Sequence, residues 1–144
     1  MTQNVSLDDF VAIQNLIGRY QWLVDGGDSE GWAALWTEDG AFVGGATEAF
    51  VGHEALKKVP AWVKDGWGGG LRHLSGSFWV EYGASADEAV ARYYNLVTTW
   101  NGPQPKLFTM SLSEMRLVRR NAQWKIVSNT VTNLAPSRAL GETD

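Results

Sequence analysis

Residues 17–28 read Ile-Gly-Arg-Tyr-Gln-Trp-Leu-Val-Asp-Gly-Gly-Asp. The stretch closes an amphipathic helix. Upstream, Phe10, Ile13, Ile17, Tyr20 and Val24 recur at helical spacing and define one buried face. Ser6 stands where an N-cap is wanted, with Asp8 and Asp9 in the first turn, and Gly26-Gly27 ends the run. The last residue before those glycines is Asp25. A helix C-terminus disfavours negative charge, so an acid there wants a compensating partner. The partner expected is His73, an imidazole set in an apolar run far along the chain. The two are expected to meet in a pocket and to move protons.

Downstream of this helix, Asp28 caps a second, shorter helix carrying Trp32, Leu35 and Trp36. Thr37-Glu-Asp-Gly is turn chemistry, Ala41–Val43 begins a strand, and Phe50-Val51 is another short one. A third helix opens at Gly52-His-Glu, with Ala55, Leu56, Val59, Trp62 and Val63 inward and Pro60 set to kink or shorten it. Four long β-rich segments follow, at 71–82, 89–100, 107–118 and 124–133, joined by turn signals. Residues 66–70, Gly-Trp-Gly-Gly-Gly, read as a flexible loop over a cavity, and 135–144 as a tail without periodicity. The fold class is α+β: three N-terminal helices packed on a long curved, mainly antiparallel sheet, cone-shaped with a central pocket.

Composition narrows the chemistry. The 144 residues suit one domain, with a core of about 6–134. A net charge of −4 argues against nucleic acid or an anionic membrane as partner. No apolar run is long enough to span a bilayer and the polar start lacks a signal-peptide pattern, so a cytoplasmic protein is expected. Zero Cys and two His leave no cysteine chemistry and no His-rich metal site. There is no phosphate loop, nucleophile elbow or dinucleotide fingerprint, so no cofactor is expected. Eight Trp beside five Phe and four Tyr are more than a core easily absorbs, because each buried indole N–H wants a partner. They point to a cavity for a flat, aromatic or polycyclic ligand.

The run Ile17-x-x-Tyr20-x-x-x-x-Asp25-x-x-Asp28, then Trp32-x-x-Leu35-Trp36-Thr-x-Asp39-Gly40-x-Phe42, resembles the nuclear-transport-factor-2-like superfamily. Within it the chain is most similar to the SnoaL-like and scytalone dehydratase branch. Gly52-x-Glu-Ala-Leu56 and Arg72-His73-Leu74 fit the same pattern. The resemblance implies one SnoaL-like domain over 1–144, assembled as a dimer or trimer. It also implies catalytic roles for Asp25, His73 and Tyr20. Scytalone dehydratase has a second His on the next strand; this sequence offers Tyr93, Tyr94, Asn95 or Trp100 instead. Arg138 stands in for a late Arg of the bile-acid dehydratases.

The expected function is a cofactor-independent lyase, a dehydratase of a small aromatic or polycyclic substrate. Substrate contacts are expected from Trp22, Trp36, Phe42, Leu56, Trp62, Trp79, Tyr94, Asn95 and Arg138. His53 is expected to face solvent, Asp28 and Asp39 to serve as cap and turn, and Arg119-Arg120 to form a solvated turn. Two other reactions use the same proton handling: carbon–carbon cleavage releasing an aldehyde, and a ketosteroid-isomerase-like double-bond shift. A non-catalytic ligand-binding module is the rival class.

Overall fold

The long first helix sets everything else. In the computed structural model, which describes residues 4–44 and 48–134, α1 spans Leu7–Gly26. The Ser6 side chain accepts from Asp9 N–H, and Gly27, at φ 75°, closes the helix in the left-handed conformation. Asp28 N–H then reaches back to the Leu23 carbonyl at 2.9 Å, the bond of a Schellman stop. A side chain at Gly27 would collide with Lys64, so glycine is required there twice over. This stop fixes where Asp25 sits.

The other elements follow in order: α2 (Ser29–Ala33), β1 (Trp36–Gly44), β2 (Phe50–Val51), α3 (His53–Leu56), α4 (Lys58–Gly66), β3 (Leu71–Tyr82), β4 (Glu88–Thr99), β5 (Lys106–Arg120) and β6 (Gln123–Asn133). The third helix therefore comes in two pieces that meet at Lys57. Pro60 explains the break: its ring would clash with the carbonyl four residues back, which belongs to Leu56. The turn expected at 37–40 is instead an irregularity within β1, whose pairing with β6 shifts register between Trp36 and Ala41.

One six-stranded sheet runs β2-β1-β6-β5-β4-β3. From β3 to β6 it is an antiparallel meander, while β1 joins β6 in parallel. The tight turn between β5 and β6 holds Asn121 at φ 51° and Ala122 at φ 61°, the two positive angles of a type I′ hairpin. The sheet curves round the helices, and the core lies in its concavity, from Ile13 and Ile17 on α1 to Met115 and Ile126 on the sheet. No helix among the described residues is long and apolar enough to cross a membrane.

Asp9, on the first turn of α1, ties the helix to the far end of the sheet. Its carboxylate accepts from Tyr82 Oη at 2.5 Å, Arg119 Nη1 at 2.6 Å and Trp124 Nε1 at 3.1 Å. Arg119 also lies over the Trp124 ring and bonds Asp87, so it is structural, not the solvated turn residue expected. Burial alone would raise the Asp9 pKa, but the hydrogen bonds from Tyr82, Trp124 and Ser6 and the Arg119 charge outweigh it and hold the group below its ordinary value. A carboxylate lowered by folding stabilises the fold above its unfolded pKa of about 3.9 and loses that contribution as pH falls through the folded value. Asp9→Asn is therefore expected to lower the urea midpoint at pH 7 and to narrow the gap from wild type below pH 4. An equal gap at pH 7 and pH 3 would overturn this.

Candidate active site

His73 is the third residue of β3, an edge strand of the sheet. Its backbone N–H would point outward unpaired, as edge groups do. Asp25 covers it. Asp25 Oδ2 accepts from His73 N–H at 2.9 Å, and Oδ1 lies 2.6 Å from His73 Nδ1. The side chains are 8% and 21% exposed, for Asp25 and His73 respectively, so this charge-assisted contact is largely shielded from water. A carboxylate facing Nδ1 requires the hydrogen on that nitrogen, which leaves Nε2 as the basic position of the neutral ring. The helix-end acid thus finds its partner, and it fixes both backbone and ring of that partner.

His73 lines a cavity of about 160 Å³ between α1, α4 and the inner face of the sheet. Tyr20, Phe42, Trp62 and Asn95 line it too, as expected. Tyr20 is buried and rests on Trp32 (ring centres 5.2 Å) and Trp36 (6.0 Å). Its hydroxyl oxygen accepts from Asn129 Nδ2 at 3.2 Å, leaving the hydroxyl hydrogen to donate. Burial, with Tyr93 and Asp25 nearby, pushes the Tyr20 pKa well above the usual phenol value despite the Asn129 bond. Tyr20 therefore keeps its proton and acts as a donor, not a base.

Asn95, on the strand next to His73, is fully engaged. Its Nδ2 donates to Ser111 Oγ (3.3 Å) and Ser113 Oγ (2.9 Å), while Oδ1 accepts from Gln21 Nε2 (2.9 Å) and Ser75 Oγ (2.9 Å). All four of its hydrogen-bonding valences are used. It shapes the wall and has no proton to give, and Tyr93 on the same strand is buried behind the cavity lining, so neither stands opposite His73 as a second acid–base group.

Five of the residues expected to contact substrate do not line this cavity. Trp22 is 84% exposed on the outer side of α1, and Trp79 and Tyr94 project from the outer face of the sheet, Trp79 beneath the Arg92 guanidinium. Trp36 and Leu56 are buried in the core and do not reach the cavity. Arg138 lies outside the described residues. His53 is not simply solvated: its Nε2 meets the Trp36 carbonyl at 3.1 Å. Sequence reasoning missed Gln21, Phe108, Ser111 and Ser113 as lining residues. The signal for the serines was present: on β5, Ser111 and Ser113 share the parity of buried Met115 and Leu117. No three His, Asp or Glu side chains converge to hold a metal among the described residues.

The SnoaL-like domain family matches residues 5–130. Among solved structures, an NTF2-like protein with a cystatin-like fold from Novosphingobium aromaticivorans is 27% identical, with TM-score 0.76 over 89% of this chain and 83% of that one. A Mycobacterium tuberculosis protein of unknown function is 28% identical, with TM-score 0.76 over 89% and 77%. A candidate scytalone dehydratase from N. aromaticivorans is 18% identical, with TM-score 0.74 over 96% and 97%, a likeness of fold. No curated protein sequence matches the chain. With the matched span covering most of the chain and the curved sheet in agreement, the chain belongs to the SnoaL-like domain family.

Proposed function

We propose that this protein is a cofactor-independent lyase that eliminates water from a small hydrophobic ring substrate. The observation that carries the reading is the two-point hold of Asp25 on His73 in a cavity wall. A histidine kept only for packing needs one satisfied nitrogen; this one has its tautomer fixed and stands beside empty space.

In the proposed reaction His73 Nε2 takes a proton from a carbon made acidic by a neighbouring carbonyl or phenol. The resulting imidazolium, stabilised by Asp25, returns that proton to the departing hydroxyl, so that one C–H and one C–O bond break and water leaves. Tyr20 donates its hydroxyl hydrogen to the oxygen on which charge develops. With Asn95 engaged, a single group serves both proton transfers, which requires the two reacting positions to lie on the same side of the ring.

The same parts support carbon–carbon cleavage or isomerisation, and product analysis separates the three. Incubation with a panel of β-hydroxy cyclic ketones and β-hydroxyalkyl phenols, followed by mass spectrometry, is expected to show loss of 18 mass units. An aldehyde fragment or an isomer of unchanged mass, without dehydrated product, would replace the dehydratase reading. No conversion of any member would favour the ligand-binding module.

A further inference from the structure

We infer that the cavity selects an uncharged ligand with a single six-membered ring, admitted past Trp62, Trp67 and Phe108 and bound with its oxygen substituent toward the floor. This deepens the lyase reading and rests on it for the identity of the site. Three observations converge. The cavity holds about 160 Å³, close to the roughly 150 Å³ of an apolar protein cavity that takes up benzene. One ring fills the enclosed part, so a fused second ring would reach out into the half-open entrance.

Charge is excluded by the lining. Among the described residues none of the side chains facing the cavity is Lys, Arg, Asp or Glu, and the nearby carboxylate of Asp25 is already held by His73. The one lining group able to carry a charge, His73, already faces the Asp25 carboxylate, so an ionised ligand would lose its water without gaining an unmatched counter-ion, a penalty that apolar contact does not offset. Neutral phenols and cyclic ketones carry no such cost.

Orientation follows from the gradient of exposure. At one end Trp62 is 51% exposed, while Tyr20, Asn95 and Ser113 at the other are 5%, 3% and 1% exposed. Trp62 meets Trp67 edge-on at 5.4 Å, and Trp67 meets Phe108 edge-on at 5.7 Å, so three rings in series frame the entrance. Hydroxyl donors line the floor, from Tyr20 and from Ser111 and Ser113, whose oxygens already accept from Asn95, and they suit a phenol or ketone oxygen. A ring lying in the entrance meets the indole of Trp62, while its oxygen meets Tyr20.

The test is direct binding, read without turnover. Phenol, 2-naphthol and benzoate are titrated into the full chain at pH 7 by tryptophan fluorescence and by calorimetry. Phenol is expected to bind, 2-naphthol at least tenfold more weakly, and benzoate not at all. Trp62→Ala, a half-exposed position whose loss spares the fold, is expected to weaken phenol about two- to tenfold. The inference is overturned by benzoate binding as tightly as phenol, by naphthol binding equally well, by an unchanged affinity in Trp62→Ala, or by binding of none of the three at millimolar concentration. A protein that shows the expected selectivity yet converts no ring substrate would sink the lyase reading and leave the ligand class standing. One that dehydrates fused-ring substrates while failing the binding pattern would do the opposite.

Discussion

His73→Ala is expected to lower kcat by about 10²–10⁴-fold on whichever ring substrate the wild type dehydrates, while the far-ultraviolet circular dichroism stays that of the folded protein. The basis is that one imidazole serves both proton transfers, since on the adjacent strand Asn95 is saturated and Tyr93 does not line the cavity. Asp25→Asn should give a loss of similar order, since an amide neither holds Nδ1–H as a carboxylate does nor stabilises the imidazolium. The double variant should be little worse than either single one, because the pair acts as a unit. Tyr20→Phe, which removes one oxyanion donor, is expected to cost about 10²–10³-fold. The decisive readout is the split between kcat and KM: kcat should fall while KM changes little, which a merely structural effect would not produce. Activity within threefold of wild type in His73→Ala would end the proposal.

The Asp25–His73 contact was legible because each residue violates a local rule. An acid at a helix C-terminus and a lone imidazole in a strand both lack a reason within their own elements, and each supplies the other's. The four long strands were legible from β-rich runs bounded by turn residues. The tryptophans were not all equally readable. Trp22 could have been placed: it follows buried Tyr20 by two residues, about 200° round an α-helix, so the face that buries one exposes the other. Trp79 could not. His73 and Trp79 have the same parity, which in a regular strand puts both inside. An extra residue between Gly76 and Trp79 shifts the register against β4, with Ser77 at φ 56°, and reverses the faces. Phe78, Val80 and Tyr82 turn inward as a result, and Trp79 outward. Gly76 beside Ser77 hints at a bulge, but a strand glycine does not say on which residue the faces reverse, so the flip is a tertiary fact. Tyr94 and Asn95 differ by one step on a strand, and only the pairing with β5 decides which faces the cavity.

Trp32→Ala is expected to destabilise the protein by about 3–5 kcal/mol. Trp32 is fully buried, with its ring centre 5.0 Å from Trp36, 5.2 Å from Tyr20 and 6.2 Å from Phe42. Its Nε1 has no hydrogen-bond partner among the described residues, so its contribution is packing and not polar anchoring. That makes Trp32→Phe the informative companion: an apolar ring restores much of the contact without the unpaired N–H, and should recover more than half of the loss in urea midpoint. The two residues that Trp32 supports from behind, Tyr20 and Phe42, both face the cavity. Removing the indole therefore frees the floor as well as weakening the core, and phenol affinity should fall further in Trp32→Ala than in a surface variant such as Trp22→Ala, whose side chain touches neither. A loss below 1 kcal/mol in Trp32→Ala would mean that the aromatic cluster is not packed as a core. Unchanged phenol affinity would mean that the cavity floor does not depend on it.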